Sequence, residues 1–161
     1  MAPAPTFIAL GANLGNREAN LRRALDALCD TSGITIHRVS SFLENPAVGG
    51  PSGSPAFINA VAQLETTLEP HELLHRLLDI ERTLGRVRRE KWEPRLIDLD
   101  LLAMGDHVIE TDELVLPHPR LHERRFVLQP LAEIAPDAVH PRLQRTFADL
   151  LEQLEKREQA Q

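Results

Sequence analysis

Two aspartates stand two residues apart in WEPRLIDLDLL, residues 92–102, inside a run that is otherwise aliphatic at Ile97, Leu99, Leu101 and Leu102. A carboxylate drawn into such surroundings loses its hydration at a cost of several kcal/mol unless a cation or hydrogen-bond donors replace the water. On an extended strand, residues i and i+2 leave the same face about 6.6 Å apart, so Asp98 and Asp100 converge while Leu99 and Leu101 pack beneath helices on the other side. Two carboxylates at that separation repel unless a divalent cation lies between them. Their hard oxygens suit Mg²⁺, which takes one or two carboxylates and completes its shell with waters and substrate phosphates. Asp-x-Asp alone is equally what the solvent face of an ordinary strand carries. The segment just before it favours the metal reading. From Arg82 to Arg95 there are six cations (Arg82, Arg86, Arg88, Arg89, Lys91 and Arg95) against Glu90 and Glu93, an excess opposite in sign to the chain's net charge of −6. Guanidinium forks beside a metal-binding strand fit a polyphosphate, whose oxygens they engage in pairs.

The rest of the chain must position these groups. TFIAL (Thr6–Leu10) reads as a buried strand entering a glycine turn, GANLGN, whose Asn16 can cap a helix over Arg17–Leu28 with Leu21, Ala24, Leu25 and Leu28 on one face. Ile34–Glu44 reads as one long strand. NPAVGGPSGSP (Asn45–Pro55) is a Pro/Gly-rich functional loop, and Ala56–Thr66 is the next strand. Pro70 opens a helix that buries Leu73, Leu74, Leu77, Leu78 and Leu84. The aspartate strand, Leu96–Ala103, completes β-α-β-β-α-β: an α+β, ferredoxin-like core, antiparallel, with both helices on one face. A short hairpin around Gly105–Val108 and Val115, a loop LPHPRLHERR and a final helix near Thr146–Lys156 follow.

The 161 residues suit a single domain, 1–161, with an ordinary globular composition of 42% hydrophobic and 26% charged residues. A lone cysteine, Cys29, excludes an internal disulfide framework. The Met1–Thr6 start is too short and Pro-rich for a signal peptide core, and no apolar run is long enough to span a bilayer. A cytoplasmic protein without membrane contact is expected. The negative net charge and an aromatic content of 4% argue against a nucleic-acid-binding sheet. His71, His75, His107 and His140 lack metal-ligand spacing and read as surface. Neither Cys29 nor Ser40 or Ser41 has the setting of a covalent nucleophile.

Four stretches together carry a resemblance: ALGANLGNRE, FINAV at Phe57–Val61, GRVRREKWEPRLIDLDLL at Gly85–Leu102 and PHPRLHERRFVLQPL at Pro117–Leu131. In that order they resemble 6-hydroxymethyl-7,8-dihydropterin pyrophosphokinase of folate biosynthesis. The resemblance implies the ferredoxin-like fold, ATP as co-substrate, two Mg²⁺ ions, and transfer of a pyrophosphoryl group to the pterin hydroxymethyl with release of AMP. It implies Asp98 and Asp100 as metal ligands, and Arg86 and Arg95 as catalytic phosphate clamps. Glu81, Arg88, Trp92, Ile97, His118 and Arg124 would join Arg86 and Arg95 around ATP. Asn45, Pro46, Val48, Phe57, Asn59, Trp92, Asp98 and Phe126 would surround the pterin, with the two phenylalanines stacking on it and Asn59 reading its edge. Small-molecule substrates and a monomeric state are expected. The competing reading is a non-catalytic ferredoxin-like module that binds a small ligand.

Overall fold

The computed structural model describes residues 5–12, 15–45, 56–85 and 97–160. Its main sheet contains β1 (Thr6–Ala12), β2 (Ile34–Val39), β3 (Leu43–Asn45), β4 (Phe57–Thr66) and β5 (Asp98–Met104). The strand order is β2-β4-β1-β5, β3 extends the β2 side along β4, and every pairing is antiparallel. Helices α1 (Arg17–Cys29) and α2 (Pro70–Leu84) connect these strands and share one face. This is the ferredoxin-like arrangement expected from the alternation of strand and helix patterns.

The first face is packed against the two helices. Ile8 and Leu10 of β1, Leu99 and Leu101 of β5, and Ala62 and Leu64 of β4 join Leu21, Ala24 and Leu28 of α1 and Leu73 and Leu77 of α2 in one buried cluster. Asn16 caps α1 by accepting a hydrogen bond from the Ala19 amide, and a reciprocal Glu69–Glu72 capping box starts α2 ahead of Pro70. Leu78 is an exception: it is 39% exposed, and Ile80 takes the buried place.

The C-terminal third covers part of the second face. Helices α3 (Arg125–Ile134) and α4 (Phe147–Gln159) pack Val127, Leu128, Leu131, Phe147 and Leu150 against Phe7, Val61, Leu102 and Ala103. Phe7 and Phe147 meet edge to face with centroids 5.5 Å apart. Two small hairpins complete this part: β6 (Ile109–Glu110) with β7 (Val115–Leu116), and β8 (Val139–His140) with β9 (Arg145–Thr146).

Several local expectations are corrected. Gly11 and Ala12 belong to β1, so the turn begins beyond them; Gly15 has the left-handed φ of 66°. The expected long strand Ile34–Glu44 is two strands: at Ser40 the amide still donates to the Val61 carbonyl at 2.9 Å, but the hydroxyl takes the place of the carbonyl as acceptor. Its Oγ accepts from the Val61 amide at 2.9 Å, while the Ser41 amide and hydroxyl both donate to Glu133 of α3. The C-terminal hairpin pairs Ile109–Glu110 with Val115–Leu116, following a turn at Gly105. The expected loop 116–125 contains a 3₁₀ turn at Leu121–Glu123 and runs into α3, whose internal Pro130 disguises it as a non-helical stretch. His140 is buried at 3% exposure, because its Nδ1 accepts from the Arg142 and Leu143 amides and closes the β8–β9 turn.

Candidate active site

The second face of the sheet is left open where α3 and α4 stop, and the opening is a cleft of about 590 Å³. Its floor is read directly from strand register. One row across the sheet runs Leu43, Asn59, Gly11, Asp98, and the next includes Val61, Ala9 and Asp100. On β1 the side chains facing this side shrink from Phe7 to Ala9 to Gly11, which turns a packed face into a hollow. Asn59 and Asp98 are two strand spacings apart, about 10 Å, with only a glycine between them. That glycine leaves the room Asn59 occupies: a Cβ on Gly11 would lie 2.8 Å from Asn59 Nδ2, and the amide would have to shift. Asn59 itself is buried, yet its Oδ1 has no hydrogen-bond partner among the described residues. A buried carbonyl oxygen left in that state costs about 1–3 kcal/mol, so it marks a place where a ligand donor fits.

Asp98 and Asp100 project from β5 into the cleft, while Leu99 between them is buried under α2. A β-bulge follows: Leu101 pairs with Ile8 and Ala103 with Phe7, leaving Leu102 as the extra residue. The carbonyl of Leu102 accepts the His118 amide at 2.7 Å, which brings the chain after β7 against the carboxylate strand. His118, Arg120 and Arg124 therefore line one side of the same cleft, cationic through the two arginines, and Phe126 and Val127 at the start of α3 line it as well. Burial lowers the His118 pKa. Arg124 and Arg120 act in the same direction, and Asp100 opposes them. The imidazole is thus neutral near pH 7. Its Nδ1 accepts from the Arg120 amide at 3.2 Å, leaving the proton on Nε2 as a donor. The Arg124 guanidinium carbon lies 5.8 Å from the centre of the Phe126 ring.

The cleft thus gathers Asn45, Phe57, Asn59, Asp98, Asp100, His118, Arg124 and Phe126 of the residues singled out from sequence. Glu81 and Ile97 do not line it. The Glu81 carboxylate accepts the Leu99 amide at 2.7 Å on the outer edge of β5, and Ile97 is buried in the core below α1 and α2. Pro46, Val48, Arg86, Arg88, Trp92 and Arg95 lie outside the described residues. Gly11 and Arg120 were not singled out; the shrinking Phe-Ala-Gly alternation of β1 was the available signal for the first. Among the described residues no three His, Cys, Asp or Glu side chains form a complete metal cage. Two carboxylates opposite arginines still match a Mg²⁺ that draws its other ligands from water and phosphate. A second cavity, about 560 Å³, lies between the end of α1 and α2, where Asp30, Arg76 and Asp79 mix both signs of charge.

A family model for 7,8-dihydro-6-hydroxymethylpterin-pyrophosphokinase matches residues 7–136, which include every element of the main sheet and the whole cleft. The chain belongs to that family. Among similar proteins, the 2-amino-4-hydroxy-6-hydroxymethyldihydropteridine pyrophosphokinase of Synechocystis is 45% identical over 148 residues, covering 92% of this chain and 75% of its own length. The enzyme of that name from Bacillus subtilis is 45% identical over 128 residues, covering 80% of this chain and 76% of the relative. The crystal structure of wild-type Plasmodium falciparum HPPK-DHPS with pteroate superposes with a TM-score of 0.76 at 13% identity, which concerns the fold alone. It covers 99% of this chain, and the chain spans 46% of that protein's length. The cleft of this family member combines two carboxylates, two arginines and a histidine, and two aromatic rings beside an amide. Among the described residues, no helix is long and apolar enough to cross a membrane.

Proposed function

We propose that the protein transfers the terminal pyrophosphoryl group of ATP to the hydroxymethyl group of 6-hydroxymethyl-7,8-dihydropterin, yielding the pterin diphosphate and AMP, a step of folate biosynthesis. The observation that carries this reading is the opposition, across one cleft, of the Asp98–Asp100 pair and the His118–Arg120–Arg124 cluster, with Phe57, Asn59 and Phe126 beside them. In the reaction the pterin hydroxyl oxygen forms a bond to the β-phosphorus of ATP and loses its proton to solvent. The bond from that phosphorus to the oxygen bridging to the α-phosphate breaks, and AMP leaves with the electron pair.

Each part of the cleft has a place in this chemistry. Asp98 and Asp100 would hold Mg²⁺, two ions in our reading, which when bound neutralise phosphate charge and favour in-line attack. Arg124 and the Nε2–H of neutral His118 would donate to phosphate oxygens, alongside Arg86 and Arg95 of the basic segment. Asn59 would accept, through its unpartnered Oδ1, a hydrogen bond from the pterin edge, and Phe57 and Phe126 would stack on its faces. Glu81, by holding the Leu99 amide, would fix the strand on which both aspartates sit. None of these groups needs to become covalently attached to substrate, so positioning and electrostatics carry the rate.

The test is product identity. Protein, ATP, Mg²⁺ and 6-hydroxymethyl-7,8-dihydropterin should give AMP and a pterin diphosphate in equal amounts by ³¹P NMR. ADP as the main product contradicts the assignment. Pterin binding without any turnover would instead favour the non-catalytic ligand-binding module.

A further inference from the structure

Helix α1 begins with a residue whose charge is misplaced. A cation in the first turn faces the positive end of the helix dipole, a loss of some tenths of a kcal/mol that a contact elsewhere must offset. Arg17 occupies this position, half-buried, and its guanidinium donates from Nη1 to the carbonyl of Ala56 at 2.7 Å across 39 residues of sequence. That carbonyl lies at the edge of the described sheet. Among the described residues, the last pair between β1 and β4 is Ala12 with Ile58, and the last between β3 and β4 is Asn45 with Phe57. The peptide joining Ala56 to Phe57 lies next to these last described pairs. Among the described residues its carbonyl is held by a side chain from α1 instead of by a strand.

The consequence falls on Phe57. Its ring lines the cleft beside Asn45 and Asn59, and its backbone N and Cα lie in the peptide plane that Arg17 grips. We propose that Arg17 is a positioning residue for the pterin end of the cleft: by holding the Ala56 carbonyl, it fixes Ala56 and so the ring of Phe57 that contacts the flat substrate. This rests on the reading of the cleft as a pterin site, and it assigns to that reading a residue outside the cleft lining. The planar guanidinium suits the task, because its donor direction is fixed by the plane of the group where a lysine offers a mobile ammonium.

Two measurements on the full chain test it. Pterin and ATP affinities, each measured separately by calorimetry with the melting temperature alongside, should separate. In Arg17→Ala, affinity for 6-hydroxymethyl-7,8-dihydropterin should fall about tenfold, the scale of one charge-assisted hydrogen bond, while ATP affinity stays within twofold and the melting temperature hardly moves. Arg17→Lys should recover part of the loss. Equal weakening for both ligands, or none for the pterin, overturns the proposal. The second measurement needs no substrate. With all five phenylalanines carrying ¹⁹F, the Phe57 resonance, assigned by Phe57→Leu, should shift or broaden in Arg17→Ala while those of Phe7 and Phe147 stay in place. An unmoved Phe57 resonance overturns the proposal too. A moved resonance in a protein that binds no pterin would uphold the grip of Arg17 and refute the functional reading instead.

Discussion

The two faces of the one sheet end differently although the same strands make both. On the first, Ile8, Leu10, Leu99 and Leu101 meet leucines of α1 and α2 in one buried cluster. On the second, the packed layer of α3 and α4 covers Phe7, Val61 and Leu102 and then stops, leaving Ala9, Gly11, Asn59, Asp98 and Asp100 as the floor of a cleft. Along β5 the difference is a matter of single residues: Leu99 and Leu101 are each 4% exposed, while Asp100 between them is open to solvent. The cleft is a face whose cover is incomplete and whose side chains shrink where the cover ends. In the proposed function, stability and chemistry fall on opposite sides of one strand.

The comparison breaks most easily at its sharpest contrast. Asp98→Ala should lower turnover about a thousandfold or more, on the scale of removing a major source of transition-state charge stabilisation, while its denaturation midpoint holds or rises slightly as carboxylate repulsion is relieved. Leu101→Ala, on the other face, should do the reverse. A cavity in the closed core costs about 3 kcal/mol in chemical denaturation, with activity per folded molecule kept within a few-fold. Were both substitutions to damage both properties alike, the division of labour between the faces would be wrong.

A smaller effect sharpens the account of the cover. Burial, reinforced by His122 and Arg142, lowers the pKa of His140 from 6.5 to about 4, since the site that holds its Nδ1 with two backbone amides favours the neutral ring. The folded pKa lies below the unfolded one. The stabilisation is therefore complete above pH 6.5 and is lost as the pH falls toward 4, by at most about 1.4 kcal/mol per pH unit for one proton. Urea midpoints measured between pH 7.5 and 4.5 should fall less steeply in His140→Asn, whose amide oxygen can accept the same backbone donors without titrating. Parallel slopes would show that His140 is not the group responsible.

Strong periodicity made the core legible. The apolar run Thr6–Leu10 ahead of a glycine turn and the leucine spacing after Pro70 marked strand and helix, and the Asp98–Asp100 spacing placed both carboxylates on one side of a strand whose leucines face the other. What was hidden depended on partners distant in sequence. Ser40 ends a strand by bonding Val61, α3 forms around a proline because its apolar face has Phe7 and Val61 to cover, and His140 is buried by a turn that its own ring closes. Gly11 read as turn material because its need for emptiness comes from Asn59 on the neighbouring strand. The cleft's aromatic and amide residues came from family resemblance, since a phenylalanine or asparagine in a strand carries no mark of its task.

The central claim is one of place, that the open half of the second face is where both substrates meet. Backbone amide NMR of the ¹⁵N-labelled protein tests it most directly, with Mg²⁺, a non-hydrolysable ATP analogue and 6-hydroxymethyl-7,8-dihydropterin added in turn. The account predicts shifts concentrated at Gly11, Phe57–Asn59, Asp98–Asp100 and His118–Val127, with the pterin acting on the Phe57 and Asn59 side and the nucleotide on the His118 and Arg124 side. Shifts gathered instead at Asp30, Arg76 and Asp79 in the cavity between α1 and α2, with the cleft unmoved, would contradict it.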